Sequence, residues 1–205
     1  VNKGINIDNI NYSEGKSSIS LNKIEISRNN QIKKFRNIRV KTFRNDKENN
    51  NFEILFGKKI AIKGKSYDST NLIKNINKKE KNNFFNGISK EIRISFENIF
   101  TKLSIPLSNF NLIGKVYKGK FIKISSKSEF SENRYLDISL KKDPNSGKKI
   151  LEIYSGFAKP LIADFNFFKG IEGGKLLFVS YFNEEGSSSN LQIKDFKVLN
   201  APAFA

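Results

Sequence analysis

Histidine, cysteine, methionine and tryptophan are all absent from this 205-residue chain. Without Cys or His there is no thiolate or imidazole to ligate a metal, no Cys-His or Ser-His-Asp nucleophilic system and no disulfide. The redox compartment therefore leaves no trace in the sequence. No run of about 18 apolar residues occurs, so no segment reads as a membrane-spanning helix. The start, Val1-Asn2-Lys3-Gly4, has neither an initiator methionine nor a signal-peptide pattern, and Ala201-Pro202-Ala203-Phe204-Ala205 ends without a polar tail. Both ends read as cuts within a longer chain.

What is present in excess is positive charge: 37 Lys and Arg against 20 Asp and Glu, a net of +17. Clustered cations release counterions from phosphates, which invites a nucleic-acid reading. Arg, however, occurs only at positions 28, 36, 39, 44, 93 and 134, while Lys, Asn, Ile and Phe are everywhere. That bias is what an AT-rich coding sequence would produce, so the excess charge is partly a genomic habit and no nucleic-acid partner is expected. The densest basic stretch is Lys33-Lys34-Phe35-Arg36-Asn37-Ile38-Arg39-Val40-Lys41-Thr42-Phe43-Arg44. As a strand it places Arg39, Lys41 and Lys33 opposite Ile38 and Val40, a solvated outer face or a contact for lipid headgroups or another anionic polymer.

From Ile5 onward the dominant signal has period two, with apolar/polar alternations broken by Asn, Gly, Ser and Lys clusters every 8 to 12 residues. This predicts antiparallel β structure, with strands over 18–27, 35–43, 51–56, 59–64, 90–98, 102–107, 109–116, 120–125, 135–141, 149–154, 174–182 and 191–199. Asn145-Ser146-Gly147, Tyr117-Lys118-Gly119 and Glu184-Glu185-Gly186 supply turn chemistry between them. Two places break the alternation. Asp68-Ser69-Thr70 offers a cap for a short helix near 69–76. At 158–168, Pro160 stands near a helix start, with Leu161, Ile162, Phe165 and Phe168 on one face. Residues 77–86 read as an exposed linker.

The alternation sorts side chains by face. Ile92, Ile94 and Phe96, then Leu103, Ile105 and Leu107, then Leu136, Ile138 and Leu140 are aliphatic or aromatic on one side. Glu91, Arg93, Ser104, Asp137, Ser139 and Lys141 stand on the other. A sheet with one wet face must hide the other. Packing a second sheet against it gives a β-sandwich, a non-catalytic binding or structural module. Leaving it as a lipid-filled groove is the alternative.

Catalytic readings fare poorly. Gly170-Ile171-Glu172-Gly173-Gly174-Lys175 has the wrong first spacing for a phosphate loop, and Leu176 replaces the Ser or Thr. Its glycines suit a tight strand entry. Glu184-Glu185, and Asp143 with Glu152, are acidic pairs that nothing in the sequence pins at a glycosidase separation. No enzyme activity, cofactor or metal is expected.

The last third carries three ordered elements. Ile153-Tyr154-Ser155-Gly156-Phe157-Ala158-Lys159-Pro160-Leu161 precedes Phe168-Lys169-Gly170-Ile171-Glu172-Gly173-Gly174-Lys175-Leu176, and Leu191-Gln192-Ile193-Lys194-Asp195-Phe196-Lys197-Val198-Leu199-Asn200-Ala201-Pro202 follows. This order resembles the C-terminal region of YhdP-type proteins of the AsmA-like superfamily, which are TamB-related bridge-like lipid-transfer proteins. There a strand ending in Ser-(Asp/Asn)-Ala-Gly leads into a short amphipathic helix, then a Gly-Gly-(Lys/Arg)-Leu strand entry, then a strand ending in Phe-x-Val-x-Asn-Ala-Pro. Here the first element departs, reading Ser155-Gly156-Phe157-Ala158. Upstream, Ile60-Ala61-Ile62-Lys63-Gly64-Lys65-Ser66-Tyr67-Asp68 resembles a strand-to-helix entry of the same family.

The resemblance implies a mainly β fold: a long antiparallel sheet curved into an open groove, with one or two short helices. It implies a β repeat over 1–80 and a C-terminal repeat over 81–205, in one sheet. The implied function is a segment of an envelope-spanning conduit for phospholipids between inner and outer membranes. It would form the periplasmic part of an inner-membrane-anchored protein, held to the membrane through flanking segments. The groove-lining set is then Ile92, Ile94, Phe96, Leu103, Ile105, Leu107, Leu112, Leu136, Ile138, Leu140, Leu151, Ile153, Leu191 and Ile193. Phospholipid acyl chains are the expected partner.

Overall fold

The computed structural model describes residues 4–28, 32–70, 87–103, 105–163 and 170–199. Over them the alternation resolves into strands β1 (Ile5–Glu14), β2 (Ser17–Ile26), β3 (Ile32–Lys34), β4 (Asn37–Arg44), β5 (Lys47–Phe56), β6 (Ile60–Asp68) and β7 (Glu91–Phe100). Strands β8 (Leu107–Tyr117), β9 (Lys120–Ser131), β10 (Arg134–Lys142) and β11 (Lys149–Ser155) follow. After β11 come helix α1 (Ala158–Ala163), β12 (Ile171–Phe182) and β13 (Ser187–Val198). All thirteen strands belong to one open, curved sheet whose order follows the sequence, except that the short β3 pairs β2 beside the main path.

Hairpins make most of the joins. Asn45 and Asp46 both have positive φ (49° and 60°), as do Lys118 and Gly119 (48° and 76°). Left-handed backbone at both central residues matches the twist of paired strands, which is why these two turns close tightly. The Tyr117-Lys118-Gly119 turn agrees with the sequence expectation. Asn45-Asp46 carries the same geometry without a glycine to announce it.

One join differs from the antiparallel expectation. Strands β6 and β7 pair parallel, with Ile60 opposite Ile92 and Ile62 opposite Ile94. A tight hairpin cannot connect parallel neighbours, so residues 69–90 are given over to a crossover. The helix expected near 69–76 and the linker over 77–86 fall within it, and residues 71–86 lie outside the described residues.

Strand boundaries also move: β5, β6, β9, β12 and β13 each extend three to six residues beyond the expected range, and β1 and β3 stand where no strand was expected. The strand expected over 102–107 is not formed; only Leu107 enters β8. Pro106 has no N–H to give a ladder, and Thr101 Oγ1 accepts the Leu103 N–H at 3.0 Å, closing a local turn instead. The strand expected from Phe35 starts at Asn37. Phe35 sits buried at the break after β3, its ring 4.9 Å from that of Phe56. In the expected helix at 158–168, α1 covers Ala158–Ala163, and residues 164–169 lie outside the described residues.

Most of the buried apolar side chains gather in three clusters on one face. Phe96, Ile99, Leu107, Phe130, Leu136 and Phe157 form the largest, near the chain reversals after β7, β9 and β11. Ala158, Ile162, Ile171 and Leu176 fix α1 to β12. Ile60, Ile88 and Val116 hold the opposite strand ends.

Gly64 is the tightest point of this packing. It stands between Phe52 and Phe96 in the ladder, and their rings meet 5.8 Å apart, edge to face. A Cβ at Gly64 would lie 2.2 Å from the Asn51 carbonyl oxygen and 2.4 Å from Phe52 Cβ, atoms fixed by the β5–β6 pairing. Gly64→Val should therefore lower unfolding stability by about 2–3 kcal/mol in a urea titration. Gly87→Ala, where nothing lies within 4 Å of the added carbon, should stay within about 0.5 kcal/mol of the parent.

Candidate apolar groove

Residues directly opposite one another in a ladder share a face of the sheet. Following the register from β1 to β13 gives one unbroken row: Ile10, Leu21, Ile38, Ile54, Ile62, Ile94, Leu112, Ser126, Ile138, Ile153, Phe178 and Leu191. Ser126 is the single polar member. At about 4.8 Å per strand the row is roughly 50 Å long.

Two further rows flank it on the same face. Two residues toward one rim stand Tyr12, Ile19, Val40, Phe52, Gly64, Phe96 and Phe110. Beyond a bulge in the β8–β9 pair, Ser128, Leu136, Ser155, Leu176 and Ile193 continue that row. Toward the other rim run Phe56, Ile60, Ile92, Gly114, Ile124, Leu140, Leu151, Ser180 and Ser189.

The opposite face is mostly polar. Ser20, Arg39, Glu53, Lys63, Ser95, Asn111, Lys127 and Asp137 are successive partners there. Arg39 pairs with Glu53 at 3.0 Å and Lys141 with Glu152 at 3.0 Å. Hydrogen bonds from Asn37 and then Arg39 hold the Glu53 carboxyl below its usual range. The basic stretch thus turns Arg39 and Lys41 outward and Ile38 and Val40 inward, as its alternation implies. Exposed Ile113, Tyr154 and Leu177 interrupt the polar surface.

Along the central row, burial is incomplete. Leu21, Ile38, Ile54, Ile62, Ile94, Leu112, Ile138, Ile153 and Phe178 are all half-buried, and Ile10 and Leu191 at the two ends are 41% and 46% exposed. Among the described residues, α1 and the loop over 101–106 pack on this face toward one rim, and Ile88 and Phe35, both outside the strands, pack on it toward the other. Gly174 (φ 81°) lets α1 approach, since a Cβ there would lie 3.3 Å from Ala158 Cβ. Ser155 Oγ accepts the Phe157 N–H and so turns the chain from β11 into the helix.

Of the residues expected to line a groove, Ile92, Ile94, Phe96, Leu112, Leu136, Ile138, Leu140, Leu151, Ile153, Leu191 and Ile193 share this face. Leu107 is buried in the largest cluster, and Leu103 and Ile105 reach that cluster from the loop rather than from a strand. The sequence set missed the whole N-terminal half of the face, from Ile10 to Ile62. The same alternation was available there, but Glu48-Asn49-Asn50-Asn51 on β5 and the missing glycine at Asn45-Asp46 obscured the strand limits. Of the carboxylates weighed for catalysis, Asp143 caps its own turn through Asn145 and Ser146, and Glu152 is bound to Lys141 and Ser139.

At the rim beside α1 and the 101–106 loop lies a polar knot. Asp68, its side chain 7% exposed, accepts hydrogen bonds from Thr70 and from Asn49 at 3.3 Å, and pairs with Arg44 at 3.0 Å. Asn50 Oδ1 accepts the Asp68 N–H at 2.8 Å, and Thr42 Oγ1 donates to Asn49. These contacts fasten β4, β5 and β6 where the crossover begins.

No protein-family model, no curated protein and no solved structure matches this chain.

Burial pushes the Asp68 carboxyl up, but the Thr70 and Asn49 hydrogen bonds and the Arg44 charge outweigh it and hold the group below the usual aspartate range. The stability it lends is present above about pH 3.9, the unfolded value, and is lost as pH falls through the lower folded value. Asp68→Asn should cost about 1–2 kcal/mol by urea unfolding at pH 7, with the gap to the parent chain closing in acid.

Proposed function

We propose that this chain is a segment of a bacterial envelope lipid conduit that shields acyl chains on the apolar face of its sheet as phospholipids pass between the inner and outer membranes. The observation that carries the reading is the central row, apolar at eleven of twelve strands and only half-buried along its length. A 16-carbon chain brought into water costs on the order of 12 kcal/mol, so a carrier has to present apolar surface without a gap. Flanking rows of Phe, Ile and Leu widen that surface, and no charged side chain interrupts the three rows. A substrate that slides needs this kind of wall rather than a pocket with converging polar groups.

The order of elements in the last third supports the same reading. Strand β11, helix α1, the Gly173-Gly174 entry of β12 and then β13 follow the strand-helix-strand sequence on which the AsmA-like resemblance rests. In this reading the two repeats meet at the parallel β6–β7 join. The location is the periplasm, in a protein anchored to the inner membrane by segments outside this stretch.

A lipid conduit and a closed sandwich respond differently to a charge in the central row. Ile94→Asp and Ile138→Asp should each lower stability by about 1 kcal/mol or less if the face is open, because the carboxylate reaches water. Buried beneath a second layer, the same change would cost about 3–5 kcal/mol. Native mass spectrometry of the chain purified without detergent should find bound phospholipid in the parent and none in either variant. A folded parent free of lipid, or large stability losses in both variants, would overturn the conduit.

A further inference from the structure

The three apolar rows end differently at the two rims. Toward α1 they run into the aromatic cluster and the Asp68 knot. Toward the other rim, one more two-residue step along the same face leads to lysine on or beside three strands, while β8 and β12 continue with Val116 and Phe182. Lys90 precedes Ile92 on β7, Lys142 follows Leu140 on β10, and Lys149 precedes Leu151 on β11. Lys142 and Lys149 are direct cross-strand partners, and Lys90 exchanges both backbone hydrogen bonds with Val116. The turns at this rim add Lys58, Lys118 and Lys148.

Like charges directly opposed across a ladder repel. Elsewhere the molecule relieves many of its cations with carboxylates: Lys16 with Asp46, Arg44 with Asp68, Arg39 with Glu53, and Lys175 with Asp195. Among the described residues neither Lys142 nor Lys149 has such a partner. The nearest acid in sequence, Asp143, is engaged by its own turn. Lys90 gives its ammonium to the Gly57 carbonyl and lies 5.1 Å over the Phe56 ring, which leaves its full charge at the groove edge. An anion seated between Lys142 and Lys149 would relieve their repulsion.

The apolar rows and the lysines stand one step apart, about 6.6 Å along a strand. That is the reach of a glycerol backbone between a phosphate and the first carbons of its acyl chains. We propose, building on the groove reading above, that the opposed Lys142–Lys149 pair receives the phosphate of an anionic lipid whose acyl chains lie on the apolar rows, with Lys90 adding positive charge farther along the same rim. The groove then holds its substrate in one orientation, headgroup toward the lysine rim and tails toward the aromatic cluster. It also discriminates between lipids by headgroup charge.

The test separates headgroup recognition from the groove itself. The delipidated chain is incubated with vesicles of phosphatidylglycerol or of phosphatidylcholine bearing the same acyl chains, at low ionic strength. It is then reisolated, and bound lipid is counted by native mass spectrometry. Phosphatidylglycerol should load about 30-fold more than phosphatidylcholine, as expected for two lysines close to an anionic group. Lys142→Gln with Lys149→Gln should remove the preference while phosphatidylcholine loads as in the parent. Lys115→Gln with Lys123→Gln removes the same charge from an opposed pair on the outer face and should leave the preference intact. Equal loading of both lipids by the parent, or loss of preference in the outer-face variant, overturns the headgroup site and leaves the groove standing. Failure to load either lipid overturns the groove and the site with it.

Discussion

A one-layer sheet with an apolar face has to have that face covered by something other than itself. Every other feature of this chain follows from that constraint. Strand alternation places Ile, Leu, Val and Phe on one side, and the register of successive ladders aligns them into rows. Slipping any strand by one residue would turn its apolar set outward and break the rows at that point. The turns with left-handed residues, at Asn45-Asp46 and Lys118-Gly119, fix the registers of their hairpins. At the parallel join no hairpin exists, and the Ile60–Ile92 and Ile62–Ile94 pairs keep the rows in phase.

Small residues on the inner face do work that large ones cannot. Gly64 lies between Phe52 and Phe96, Gly114 beneath the Phe121 ring, Ser126 between Leu112 of β8 and Ile138 of β10, and Ser128 opposite Leu136. Each small residue leaves space into which its bulky neighbours lean. The inner side of the sheet can therefore contract relative to the outer, which favours curvature toward the apolar face. Ser126 and Ser128 also stay satisfied, since Ser126 Oγ donates to the Ile138 carbonyl at 3.4 Å and Ser128 Oγ to the Leu136 carbonyl at 3.2 Å. Close backbone approach and small volume, rather than conformational freedom alone, explain why glycine stands at 64 and 114.

Much of the architecture was legible in the sequence because period two survives wherever aliphatic residues alternate with charged ones. Ile92-Arg93-Ile94 and Leu136-Asp137-Ile138 read at sight. The same rule failed at 102–107, where Leu103, Ile105 and Leu107 alternate perfectly but Pro106 and the Thr101 hydroxyl give the backbone other partners. It was too weak over 5–14 and 47–56, where asparagines occupy strand positions without marking a face. The parallel join was invisible, because no local pattern states which neighbour a strand chooses across a long connection. The lysine edge was hidden for a different reason. In a chain of net charge +17, Lys90, Lys142 and Lys149 are unremarked until the register places them on the apolar face, one step beyond its last row.

The strand order has a consequence for how such a chain is made. Each strand except β4, which passes β3 to pair with β2, pairs with the strand synthesised just before it, so the contacts that close the sheet span few residues, unlike the distant pairings that slow most β proteins. A nascent chain can lay down its ladder one hairpin at a time as it emerges, without waiting for a remote partner. The longest wait falls at β7, which meets β6 only after residues 69–90 have been produced. Assembly would pause there, and the six strands already laid down would hold an open edge at β6 until β7 arrives.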